Sequence, residues 1–137
     1  MSTLQEFLNS NPIDNLEEEV VISDRFKDKD GNLMKFKIRV MTSRELGEYR
    51  KKAIKVGKKG KNYEVDSQVL TNSIVVNHTV VPDFRDAESI KKMGVMTPED
   101  YLHRVLLPGE VDDLALKIQE LSGFNKDFEE LVDEAKN

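Results

Sequence analysis

The chain has no cysteine, only two histidines in 137 residues, and no apolar run approaching the ~20 residues that a bilayer-spanning helix needs. The first absence removes disulfides, thiol nucleophiles and thiolate metal sites together. The second leaves His78 and His103 as the only imidazoles, and neither lies in a motif that pairs a base with a nucleophile. Nor do they have the HExxH spacing of a zinc site. Gly57-Lys58-Lys59-Gly60 lacks both the Walker and the Rossmann spacing, so no loop is built to cradle phosphate. The N-terminus, MSTLQEFLNSNPID, has neither the basic start nor the apolar run of a secretory signal. These absences predict a cytoplasmic, non-catalytic protein without cofactor, metal or membrane segment.

What is present is a lean core in a heavily charged surface: 38% hydrophobic against 34% charged residues, enough for one domain. The formal net charge of −5 argues against nucleic acid as the main partner. The one basic concentration runs through Arg50-Lys51-Lys52, Lys55, Lys58-Lys59 and Lys61. No aromatic interleaves these lysines, so the run reads as a solvated helix face leading into a flexible loop at residues 57–63. Its functional reading is a phosphate-binding segment over residues 50–61.

The clearest element spans Leu106 to Phe124. Val111, Leu114, Ala115, Ile118 and Leu121 recur at helical spacing, Pro108 suits the first turn, and Gly123 suits the stop, with Phe124 free to fold back onto Ile118. Residues 17–42 read as a β-hairpin. Met34, Phe36, Ile38 and Val40 alternate with Lys35, Lys37 and Arg39, and Asp24 is a flaw in the first strand. A three-residue turn with Gly31 in the left-handed region sets Phe26 against Met34, Ile22 against Ile38 and Val20 against Val40. Asp28, Asp30 and Asn32 suggest the start of a calcium loop, but Leu33 and Arg39 stand where that loop needs glycine and glutamate. Thr42-Ser43-Arg44-Glu45 is a capping box, opening a helix that Gly57 ends. Asp66 caps a further helix carried to the residue before Pro82, although the β-branched run from Ile74 to Val81 also resembles a strand. His78, within it, is expected to be packed and hydrogen-bonded, and His103 exposed. Asp86 and Thr97 start two short helices, the first closed by Gly94. A last helix places Phe128, Leu131, Val132 and Ala135 inward. The expected fold is α+β: an N-terminal β-hairpin (17–42) packed on a mainly helical single domain of about five helices (43–137), preceded by an arm (1–15). Two strands are marginal alone, so the hairpin leans on helices or gains strands by self-association.

Three stretches then occur in a fixed order: LQEFLNSNPID, the hairpin VVISDRFKDKDGNLMKFKIR with its Thr-x-x-Glu helix and RKK, and MTPEDYLHRVLLPGEVDDLALKIQELSGF. Together they resemble the XkdN-like family of tail assembly chaperones, encoded by tailed phages and prophages of Gram-positive bacteria. The likeness covers nearly the whole chain, and is most specific in the LLPGE-to-SGF block and the VVPDFRDAE-to-MGVM link. It implies a protein that binds the tape measure protein, keeps that long helical surface from aggregating, and helps the tail tube subunit assemble around it in the host cytoplasm. It also implies that the gene is read in two forms by frameshifting, of which a chain stopping soon after Ala135 suits the short one. No catalytic residue is inherited from the resemblance.

A tape measure segment is an amphipathic helix, so its chaperone needs an apolar groove or helix edge rimmed by charge. The terminal elements are the candidates: Leu4, Phe7 and Leu8, with Phe128, Leu131 and Val132. The bland alternative is that all six complete the core, the first three as a short helix packed on the domain. Two other functions compete, a virion structural or head-tail joining protein and a small nucleic-acid-binding regulator using residues 50–61.

Overall fold

Pro108 opens helix α6 (Pro108–Gln119) at its first turn, and Val111, Leu114, Ala115 and Ile118 form the buried stripe that the spacing predicted. Leu107 supplies no side-chain cap. Glu110 compensates by accepting the Leu107 backbone N–H at 2.8 Å, one half of a capping box. The computed structural model of the protein describes residues 2–56 and 63–124. Within them α6 packs along α3 (Ser67–His78), which Asp66 caps by accepting the N–H groups of Gln68 and Val69. Ile74, Val75 and Val76 are buried on the inner side of α3.

The sheet was predicted only in part. Strand β1 (Glu17–Val20) pairs antiparallel with β2 (Phe36–Arg39), with Val20 opposite Phe36 and Glu17 opposite Arg39. Near the turn the expected register holds. Met34 N–H donates to Phe26 O at 2.8 Å, Lys27 bridges Leu33, and Gly31 sits at φ 82°. The Asp28 carboxylate fixes that turn by accepting the N–H groups of Asp30 and Asn32, both at 2.9 Å, which gives the acid a structural use. Between the two registers, residues 21–25 leave the ladder. Ile22 therefore does not face Ile38, nor Val20 Val40. The excursion carries Arg25 to the start of α6, where it meets Glu110, and this tertiary contact outweighs continuous pairing.

A third strand comes from a segment read as helix. α3 stops at His78, and Thr79–Val81 forms β5, antiparallel to β2, giving the order β1-β2-β5. Pro82 disfavours helix at Val81, and the β-branched residues before it gain ladder hydrogen bonds from β2 instead. The hairpin thus obtains its extra strand from its own chain. A similar local switch ends α2 (Ser43–Lys52) five residues before Gly57. The Thr42 capping box is present, but Ile54–Val56 forms β3 against β4 (Tyr63–Val65). Of the flexible loop expected at residues 57–63, residue 63 begins β4 instead, and residues 57–62 lie outside the described residues. The 43–137 part, expected to be helical, therefore also contributes three short strands.

Helices α4 (Ala87–Lys92) and α5 (Pro98–Val105) start at their predicted caps, Asp86 and Thr97, and Gly94 closes the first at φ 70°. After α6 a wider turn covers Glu120–Phe124, with Gly123 at φ 99°. Phe124 does not fold back as expected: it is 59% exposed, and Leu121 packs on the core instead. The turn is latched by Ser122, whose hydroxyl donates to Ile118 O and accepts Met41 N–H. With α1 (Thr3–Ser10) there are six α-helices among the described residues, an α+β fold in which helix dominates. Ile38 from the sheet, Val75 from α3, Leu102 from α5, Leu114 and Ile118 from α6, and Phe84 from the β5–α4 link meet in one core.

Candidate functional site

Among the described residues, two clusters of titratable groups join separate elements of the fold, one at Glu110 and one at His78. Glu110 is 6% exposed and receives a two-pronged contact from Arg25, Nε to Oε2 at 2.9 Å and Nη2 to Oε1 at 2.7 Å. The Arg25 hydrogen bond, helped by Leu107 N–H and Ser23, overrides burial and holds the carboxyl at about 2, below the usual range. Arg25 also donates to Val105 O at 2.9 Å, tying hairpin, α5 and α6 at one point.

His78 is fully buried at the end of α3. Its Nδ1 lies 3.2 Å from Val40 O and its Nε2 lies 2.8 Å from the Tyr49 hydroxyl. A carbonyl can only accept, so Nδ1 carries the proton and Tyr49 O–H donates to Nε2. Burial, reinforced by the nearby Arg39 charge, pushes the imidazole down to about 4. At neutral pH His78 is uncharged, and its 3.9 Å approach to Glu45 is not an ion pair. Burial of Glu45 opposes its ionisation, but Thr42 N–H and Arg39 hold its carboxyl below the usual range. The predicted packed histidine is thus found, every nitrogen satisfied. His103 is exposed as expected, and its Nε2 meets Asn72 Oδ1 at 2.9 Å. Among the described residues no group of three histidines or acids is placed to hold a metal ion, and no helix is long and apolar enough to cross a membrane.

Helix α1 places apolar side chains at the surface. In α1 the Ser2 hydroxyl accepts Gln5 N–H at 3.1 Å, and the Asn11 side chain donates to Phe7 O at 2.8 Å, so the helix is closed locally at both ends. Leu4, Phe7 and Leu8 share one face and are 67%, 59% and 55% exposed. None of the helix is buried, so the expectation of a helix packed on the domain is not met. An eight-residue helix is marginal in water without a surface to lie on, and this one presents its whole apolar face outward. Phe128, Leu131 and Val132 lie outside the described residues. Residues 50–52 end α2 with their basic side chains exposed, and no aromatic stands among them.

Sequence reasoning missed a second apolar feature. A cleft of about 300 Å³ opens between the hairpin, β5 and α5, walled by Phe26, Met34, Phe36, Val81, Phe84 and Tyr101. Phe26 and Phe36 meet edge-on at 5.0 Å, and Phe84 and Tyr101 at 6.0 Å, so the walls are aromatic pairs already fixed in place. The Met34-Phe36 alternation was a signal for it, read as one inner face. Phe36 is buried there, whereas Met34 stands at the rim, 47% exposed.

The sequence matches the profile of the phage XkdN-like tail assembly chaperone proteins over residues 4–136. It is 33% identical over 135 residues to the phage-like element PBSX protein XkdN of Bacillus subtilis (strain 168), covering 96% of this chain and 91% of that protein. It is 34% identical over 135 residues to the uncharacterized protein YqbN of the same strain, with the same coverage. The crystal structure of YqbN superposes with a TM-score of 0.71 at 32% identity, covering 91% of this chain and 99% of that one. Sequence profile, relatives and fold agree along nearly the entire chain, which belongs to the phage XkdN-like tail assembly chaperone family.

Proposed function

We propose that this chain binds the tape measure protein, shields its apolar helical surface from aggregation, and assists the assembly of tail tube subunits around it in the cytoplasm of the bacterial host. It does so without catalysis. The observation that supports this reading is α1: a locally capped helix whose Leu4, Phe7 and Leu8 side chains face solvent together. A segment of tape measure with matching apolar periodicity has there an edge on which to lay its own stripe. The acids that follow α1 in the chain, Asp14 and Glu17 to Glu19, favour a partner helix with basic flanks.

Co-expression with the tape measure protein encoded nearby, followed by pull-down and size-exclusion chromatography, tests the proposal. Soluble tape measure is expected only when this chain is present, and Leu4→Glu with Leu8→Glu is expected to abolish its recovery while the domain stays folded. Equal recovery without the chain refutes the chaperone reading, and recovery unaffected by the double substitution moves the binding surface away from α1. The chain is expected to be absent from purified particles, unlike a structural or head-tail joining protein.

A further inference from the structure

Among the described residues, α1 has no buried residue and the apolar cleft is open at the surface. We propose that they are each other's partners between two copies: α1 of one copy seats Leu4, Phe7 and Leu8 in the cleft of a second, and the second returns the contact. The pair occupies the α1 face proposed above for the tape measure, so the two complexes exclude each other, and the test below uses the chain alone.

Charge favours the pairing. The N-terminal segment before β1 carries Glu6 and Asp14 and no lysine or arginine. Lys35 of the hairpin lines the cleft and is its one charged lining residue. Glu6, next to Phe7, can therefore meet Lys35 while the apolar side chains enter. Topology favours a second copy over the chain's own cleft. The arm is tied at its base, where Leu16 O accepts Val40 N–H at 2.9 Å, just beyond one end of β2. The cleft lies past the other end, at Phe36 and Met34. In one chain α1 has no buried residue while the cleft stands open.

Size selects the reciprocal arrangement. Three large apolar side chains, each more than half exposed, leave on the order of 300 Å² to cover, and about as much is covered on the cleft. One such contact falls short of a specific interface, whereas two related by a two-fold axis reach about 1,200 Å², the lower bound of the standard range. The occupant is thus a second copy in a closed pair.

The absence of cysteine makes the test free of background. Leu8→Cys and Met34→Cys variants, mixed and oxidised mildly, are expected to form a disulfide-linked dimer containing one of each, well ahead of either variant alone. Adding Phe7→Glu to the Leu8→Cys chain is expected to reduce that product at least tenfold, with far-UV circular dichroism unchanged because the side chain is exposed. Light scattering after size exclusion is expected to give a dimer for the wild type and a monomer for Phe7→Glu. The proposal is overturned by a wild type that stays monomeric at every concentration. It is equally overturned by a Leu8–Leu8 cross-link that forms as fast as the mixed one, or by a Leu8→Cys/Met34→Cys double variant that closes within one chain.

Discussion

Replacing Glu110 by glutamine tests whether one ion pair fastens the hairpin to the helical half. The carboxyl falls from the usual 4.5 to about 2 because Arg25 binds it through two hydrogen bonds. At ~1.4 kcal/mol per pKa unit the shift has an upper bound near 3 kcal/mol. The Arg25 side chain is 46% exposed, so water screens the pair, and about half of that bound, ~1.5 kcal/mol, is the expected loss at pH 7. Glutamine keeps an oxygen for Leu107 N–H and Arg25 Nη2 but turns an NH2 toward Arg25 Nε, so the cap survives while the charge and one hydrogen bond are removed. The folded value lies below the unfolded one, so this stabilisation is complete above about 4.5 and disappears as pH falls through about 2. Urea denaturation of wild type and Glu110→Gln should therefore show a midpoint gap at pH 7, with the same denaturant slope, that shrinks by more than half at pH 3. A gap of equal size at both pH values, or one under ~0.5 kcal/mol at pH 7, refutes the electrostatic account.

Tyr49→Phe removes the hydroxyl that donates to His78 Nε2 and leaves a fully buried nitrogen without a partner. The expected cost is about 1–3 kcal/mol, read from thermal denaturation at pH 7. His78 is expected to titrate near 4 in the folded protein by NMR. Because the unfolded chain takes up this proton first, near 6.5, the native state loses stability as pH falls from there to about 4, and a native midpoint above 6 contradicts the buried network. Thr42→Ala removes the acceptor for Glu45 N–H in the capping box and should cost about 1 kcal/mol, measured by the shift in denaturation midpoint.

The helix starts were legible because caps are local. Thr42, Asp66, Asp86 and Thr97 each accept backbone N–H groups two or three residues on, and these contacts need no distant partner. The α6 stripe was legible for the same reason, its period lying in one segment. What failed depends on residues far away in the chain. Asp24 disturbed the strand pattern, and the structure gives the cause: the chain leaves the ladder there so that Arg25 can reach Glu110. Thr79 to Val81 is as compatible with a helix end as with a strand until β2 offers its edge. The face of Leu4, Phe7 and Leu8 was readable from spacing, but its exposure was not, because nothing local says whether another element covers it. The cleft was the least legible, since its walls come from the hairpin, β5, the following link and α5.

The position of β2 in the middle of the sheet has a consequence in time. One of its neighbours, β1, is made before it, and the other, β5, only after residues 40–78 have followed. At ~5–20 residues per second, the outer edge of β2 stays bare for a few seconds of synthesis, a hazard during which a growing chain can pair with the wrong strand. Ile38, wholly enclosed in the finished fold, is unprotected over the same interval. Thr79 to Val81 ends the exposure, and Pro82, with no N–H to offer, stops the next residue from extending the ladder. Chain order alone thus sets how long the central strand waits for its second neighbour.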